Sequence, residues 1–148
     1  MHDYYMKEAI KEAHKALMIN EVPVGCVIVK DNKIIGRGYN TRERLNNSLC
    51  HAEIIAINEA CKNINDWRLT DCSIYVTLEP CPMCAGAIIQ SRIKYLVFGA
   101  NDKNTGCAGS VIDLFNYKQF NNYTYIFAGI LEDECSNLLK KYFKEIRE

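Results

Sequence analysis

Two short segments hold most of the side chains in this sequence that could do chemistry together: Cys50-His51-Ala52-Glu53 and Glu79-Pro80-Cys81-Pro82-Met83-Cys84. Each reads as the opening of a helix directly after a loop or strand. Cys81 and Cys84 stand at i and i+3, so on a helix both sulfurs lie on one face and reach a single ion. Two thiolates offset the charge of a zinc ion, and the positive end of a helix further favours the anionic sulfurs. His51 supplies a third ligand. Three protein ligands leave one tetrahedral position for water, which is the arrangement of a catalytic zinc. Zinc brings the pKa of such a water toward neutrality. Glu53 is the carboxylate placed to take that proton and pass it on. One demand follows from geometry: residues two apart on an ideal helix point about 200° apart. His51 and Glu53 can therefore face one ion only at a helix mouth.

A C-x-x-C pair taken alone has other readings: a redox pair, a structural zinc, or plain core. A redox pair leaves the H-x-E segment without a role. A structural zinc wants a fourth Cys or His, for which Cys50 and Cys107 are the candidates. The remaining cysteines (Cys26, Cys61, Cys72, Cys135), with Cys50 and Cys107, read as small buried hydrophobes. H-x-E followed by P-C-x-x-C is similar to the signature of zinc deaminases that hydrolyse an amino group from a nucleobase.

The elements that must position these residues follow from apolar periodicity. Residues 4–19 form an amphipathic helix with Met6, Ile10, Ala13 and Leu17 on its apolar side. Val24 to Val29 is a buried strand, Asp31-Asn32-Lys33 a turn, and Ile34 to Tyr39 the second strand of a hairpin. Arg42 to Ser48 is a polar loop. A helix runs from about His51 to Asn63 with Ile54, Ile55, Ile57, Ala60 and Cys61 as its apolar positions. Ser73 to Leu78 is a strand, and Pro82 to Ser91 a helix with proline in its first turn. Tyr95 to Gly99 is a strand, Asn101 to Ser110 a glycine-containing loop, and Val111 to Phe115 a short helical piece. Tyr123 to Ala128 is the last strand and Leu131 to Ile146 the last helix. This order predicts an α/β domain with one mixed sheet covered by helices on both faces.

With 148 residues, 49% of them hydrophobic and 24% charged, the chain suits one globular domain over 1–148 that needs no disulfides. No apolar run reaches the roughly 18–20 residues of a membrane span. Met1-His2-Asp3-Tyr4-Tyr5 lacks the layout of an export signal, so a soluble, cytoplasmic protein without membrane partners is expected. Net charge is zero, which argues against nonspecific coating of nucleic acid but leaves room for a local basic patch. Gly36-Arg37-Gly38 lacks the third glycine of a dinucleotide fingerprint, so no nucleotide cofactor is expected. His2 and His14 read as surface or half-buried helix residues.

The zinc pattern does not choose among bases; the flanking segments do. From about Ala9 to Phe143 the chain resembles the bacterial tRNA-specific adenosine deaminases. The resemblance rests on Glu21-Val22-Pro23-Val24-Gly25, Gly38-Tyr39-Asn40, the Tyr75 to Ile88 stretch, Val97-Phe98-Gly99-Ala100, Thr105 to Ser110, Gly129-Ile130-Leu131 and the ending Tyr142-Phe143. It implies a three-layer α/β/α, cytidine-deaminase-like fold with one mixed five-stranded sheet. It also implies one zinc per subunit, a homodimer, and conversion of adenosine to inosine at the wobble position of a tRNA anticodon. On the same basis Asn40 would hydrogen-bond the flipped base, with the backbone at Val24 and Ala52 lining its pocket. Asp102 would touch the flanking nucleotides, and Tyr142 and Phe143 would pack the anticodon loop. Read from its residue type alone, Asn40 instead closes a turn after a strand. Asn104 replaces a frequent lysine of the family, and the tail from Lys144 is short and weakly basic, which subtracts from phosphate attraction. Two other functions remain to be weighed: a deaminase of free guanine or cytosine, and a zinc-stabilised RNA-binding module without turnover.

Overall fold

In a computed structural model, which describes residues 1–120 and 124–147, burial on both faces of the first strand sets the architecture. β1 (Gly25–Lys30) turns Cys26 and Ile28 to one face and Val27 and Val29 to the other, all of them buried. A strand apolar on both sides belongs inside a sheet covered twice. It lies between β2 (Lys33–Tyr39) and β3 (Ser73–Leu78), antiparallel to both. β4 (Tyr95–Ala100) and β5 (Tyr125–Phe127) continue parallel to β3, which completes a mixed sheet in the order β2-β1-β3-β4-β5. The β1–β2 turn is tighter than the expected three residues: Lys33 already pairs with Lys30, and Asp31 and Asn32 both take positive φ. Two residues of that hand are what a tight hairpin requires.

Four helices make the outer layers. α1 (His2–Met18) and α4 (Glu132–Arg147) cover the face carrying Val27, Val29, Tyr75 and Val97, through Met6, Ala9, Ile10 and Cys135. α2 (Ala52–Ile64) and α3 (Pro82–Gln90) cover the face of Ile28, Ile74, Leu96 and Phe98. The three-layer α/β/α expectation is met. The buried stripe of α2 differs from the expected one. It runs through Ala52, Ala56, Ile57 and Ala60, while Ile54, Ile55 and Cys61 are half-buried. The reason lies in β2, where a side chain at Gly36 or Gly38 would run into the α2 backbone. Glycine on the strand and alanine on the helix let the two approach closely, and larger apolar side chains are turned aside. Cys50 is also only half-buried, whereas Cys26, Cys72, Cys107 and Cys135 are buried as expected. The short helical piece forms one turn later than read, as a 3-10 turn at Leu114–Asn116. Tyr123, read as the start of the last strand, lies outside the described residues.

Because β1 is antiparallel to both neighbours, β2 and β3 run the same way and end at the same edge of the sheet. α3 begins straight after β3, and α2 follows the loop leaving β2, so both helices present their N-termini at that edge. Crevices beyond the carboxyl ends of strands are where α/β sheets bind ligands. No helix among the described residues is long and apolar enough to cross a membrane.

Candidate metal centre and its pocket

His51 is the N-cap of α2 and Cys81 the N-cap of α3, both with extended backbone (ψ 155° and 175°). An N-cap side chain usually folds back onto the first-turn N–H groups. Neither of these does. They turn outward and meet: His51 Nδ1 lies 3.6 Å from the sulfur of Cys81 and 3.6 Å from that of Cys84. The demand made by the H-x-E spacing is thereby satisfied. His51 stands outside the helical geometry and Glu53 in the first turn, so both face the same crevice.

The ligand atoms of His51, Cys81 and Cys84 all lie within 4.8 Å of one another, and they are the group of this kind found among the described residues. Neither Cys50 nor Cys107 joins it. For a tetrahedral zinc with bonds of about 2.05 Å to nitrogen and about 2.3 Å to sulfur, the nitrogen-to-sulfur separation is about 3.6 Å. The observed spacing and the donor chemistry both fit that ion. Electrostatics agree. A hydrogen bond from Cys84, reinforced by His51, pulls the Cys81 thiol down to about 4, while the same bond and burial push Cys84 far up. A cation bound between them would hold both sulfurs as thiolates.

Glu53 is 4% exposed and pairs with no Lys or Arg among the described residues. Burial pushes its carboxyl up to about 7, with the charge of Cys81 acting in the same direction. His51 is raised, chiefly by its bond to Cys81.

These side chains open onto a cavity of about 140 Å³ lined by Val22, Val24, Asn40, Ala52, Leu78 and Asp102 among others. Sites that engulf a whole drug-sized ligand measure roughly 300–1,000 Å³. This one has room for a ring and leaves the rest of a larger molecule outside. Asn40 closes a turn and borders the cavity. Its Oδ1 accepts from the Arg42 N–H (3.1 Å) and its Nδ2 donates to the Val22 carbonyl (3.3 Å), which closes the turn. An amide carries a second N–H, and the residue borders the cavity. Asp102 also lines it, but its carboxylate is largely engaged with its own loop, accepting from the N–H groups of Asn104 and Thr105 and the Thr105 hydroxyl. Tyr142 and Phe143 do not line this cavity. Tyr142 donates to the Asn20 carbonyl, and Phe143, 41% exposed, borders a separate groove between α4 and the end of β4.

Arg42, Thr105 and two buried glutamates escaped the sequence reading. Glu21, 1% exposed, accepts from the N–H groups of Glu43 and Arg44 and so anchors the loop that brings Arg42 to the cavity. Glu79, 2% exposed, anchors the loop on the opposite side. A glutamate at the end of an apolar strand, directly before P-C, was the available signal for the second.

Residues 1–100 match the family model described as the cytidine and deoxycytidylate deaminase zinc-binding region. The chain is 48% identical to the tRNA-specific adenosine deaminase of Bacillus subtilis, across 99% of this chain and 91% of that one. A solved structure from studies of A-to-I editing by tRNA:A34 deaminases at the wobble position of transfer RNA superposes with TM-score 0.88. It is 38% identical, covering 92% of this chain and 99% of its own. The guanine deaminase of Nitrosomonas europaea superposes with TM-score 0.82 over 95% of this chain and 83% of its own; at 20% identity it shares the fold.

Proposed function

The chain belongs to the zinc-binding cytidine and deoxycytidylate deaminase family, alongside the tRNA-specific adenosine deaminases, and we propose that it converts adenosine to inosine at the wobble position of a tRNA anticodon. The observation that carries this reading is the open, ring-sized cavity lined by His51, Cys81 and Glu53, with Cys84 grouped beside the first two.

His51 Nδ1 and the two sulfurs would hold the zinc, whose bound state supplies Lewis acidity and an acidified water. The chain's own residues do the rest. Glu53 accepts the proton of the attacking water and delivers it to the ring nitrogen beside the carbon under attack. A second transfer through the same carboxylate protonates the departing amino group, which leaves as ammonia. The free N–H of Asn40 donates to the base, an edge that amide side chains suit. Val24 and Ala52 enclose the ring, while Asp102 at the rim meets the nucleotides beside it.

A macromolecular substrate fits this shape. The ring enters and the ribose and phosphates stay in the mouth, where Arg42 supplies positive charge. A loop nucleotide is already partly unstacked, so extruding it costs less than it would from a duplex. Tyr142, bonded to Asn20, and Phe143, on the separate groove, would meet a more distant part of the same loop. Supporting a homodimer, Leu45, Leu49, Val111, Ile112 and Phe120 are exposed apolar side chains on loops, surface that a second copy would cover. We propose a cytoplasmic location, where such a protein would meet tRNA.

The test is incubation with an unmodified anticodon stem-loop carrying adenosine at the wobble position, followed by sequencing. Inosine that disappears in Glu53→Ala supports the reading. Ammonia released from free guanine or cytosine with the stem-loop untouched would replace it with a free-base deaminase. Sedimentation at a single subunit mass would remove the homodimer.

A further inference from the structure

Glu79 ends the chain's run from β3 into the metal-ligand segment, two residues before Cys81, and it faces no cation among the described residues. All its partners come from one loop. Oε1 accepts from the Asp102 N–H at 3.0 Å and from the Ser110 hydroxyl. Oε2 accepts from the N–H groups of Ala108 and Ser110, each at 3.0 Å. The loop wraps so closely that a Cβ at Gly106 would collide with this carboxylate and with the Asp102 carbonyl. A buried carboxylate without a cation is held by donors alone, and these bonds are about twice as strong as neutral ones. The same loop forms one wall of the cavity through Asp102 and Thr105.

We propose that Glu79 is a positioning residue for substrate: its carboxylate fixes the 102–110 loop, and through Asp102 and Thr105 it sets how tightly the RNA is held. This rests on the tRNA reading for the identity of the substrate. Glu79 takes no part in proton transfer, because its oxygens are occupied by loop donors. The wall touches parts of the substrate that do not react, so its displacement removes binding common to ground and transition states. Such a loss raises KM and leaves kcat nearly unchanged.

The consequence of Glu79→Gln can be worked out atom by atom. Gln keeps the shape but puts an –NH2 where one oxygen was. Placed at Oε2, it would confront two backbone N–H groups, neither of which can turn away. Placed at Oε1, it meets the Ser110 hydroxyl, which can rotate to accept, and the Asp102 N–H, which cannot. The amide therefore settles with nitrogen at Oε1, and the bond it breaks is the one to Asp102.

Two measurements on the zinc-loaded full chain test this. In Glu79→Gln, hydrogen exchange at the Asp102 amide accelerates at least about tenfold while that of Ala108 and Ser110 changes less. With the stem-loop, KM rises about tenfold, kcat changes less than about threefold, and zinc stays stoichiometric. Arg37→Ala, which breaks pairs to α1 and does not line the cavity, is the control for instability alone. An equal KM rise in that control, or an unchanged KM in Glu79→Gln, overturns the proposal. So does unaltered exchange at Asp102. A wild-type protein that leaves the stem-loop untouched would count against the tRNA reading, while the exchange measurement still decides the anchoring.

Discussion

Glu53→Gln is the substitution whose cost can be worked out most fully. The cavity holds two other carboxylates that could stand in as proton carrier, and neither is free. Glu79 accepts from four donors, and Asp102 accepts from three within its own loop. A positioned acid–base group contributes about 10²–10⁴-fold to one proton transfer. Glu53 is assigned two transfers with no substitute, so kcat should fall at least about 10³-fold, or about 4 kcal/mol on the barrier. The zinc-free variant should fold as well as zinc-free wild type or better. Burial holds the pKa of the Glu53 carboxyl up, and a neutral isostere removes that desolvation cost, adding on the order of 1 kcal/mol. Glu53 is outside the ligand set, so zinc should remain bound. The assay is single-turnover deamination of the stem-loop beside a zinc determination and a urea titration. Activity within tenfold of wild type in a zinc-loaded variant would refute the proton-carrier role. Loss of zinc would show that Glu53 belongs to the ligand shell.

Replacing Cys84, the buried ligand, by Ala should abolish stoichiometric zinc, read by metal analysis after gel filtration; retained zinc would sink the ligand assignment. Asn40→Asp keeps the acceptor for the Arg42 N–H but sets a carboxylate oxygen against the Val22 carbonyl and loses the donor to the base, so stability should fall by about 1–3 kcal/mol while kcat/KM falls about tenfold or more. A full-activity Asn40→Asp would reduce Asn40 to its turn. Arg37→Ala removes contacts of 2.7 and 3.2 Å to Glu8 and Glu12. Lys11 and Lys15 still pair with those carboxylates and Arg37 is a third exposed, so the loss should be about 1–2 kcal/mol by urea denaturation. Arg37 is the first cause holding Glu8 below the ordinary carboxylate value. The stabilisation is therefore complete above the unfolded pKa of about 4.3 and is lost as pH falls through the lower folded value. The gap between wild type and Arg37→Ala should shrink below about pH 4; a gap unchanged at pH 3 would contradict the pairing.

What could be read from the sequence was whatever depends on local spacing. Cys81 and Cys84 within reach of one ion, proline in the first turn of α3 and the apolar strands follow from periods of 3.6 and 2 that any chain obeys, although Cys81 stands just outside the helix as its N-cap. His51 and Glu53 looked incompatible on an ideal helix. The conflict itself pointed to a helix mouth, and His51 proved to be the N-cap. What could not be read depends on distant partners. Glu8 and Glu12 look like solvent-facing residues of an amphipathic helix until Arg37 of β2 is placed over them. Ile54 and Ile55 look like core until the glycines of β2 draw the alanines in. The Pro-Cys that follows Glu79 marks that residue, and nothing comparable marks Glu21, but in neither case does the local sequence name the loop, more than twenty residues away, that closes around the carboxylate.

Those two glutamates also bear on how the fold separates reaction from recognition. The reacting groups sit on the first turns of α2 and α3, rigid elements backed by the core, where Ala52, Ala56 and Ala85 are fully buried. The walls and mouth of the cavity are loops, and loops keep no shape of their own without partners for their backbone groups. Here each wall is organised around one buried carboxylate, Glu21 for the loop carrying Arg42 and Glu79 for the loop carrying Asp102 and Thr105. An anchored loop can change the residues it presents without disturbing the N-caps that face the metal. On this division the wall sequences choose the substrate, and the helix mouths supply the same deamination to whatever ring the walls admit.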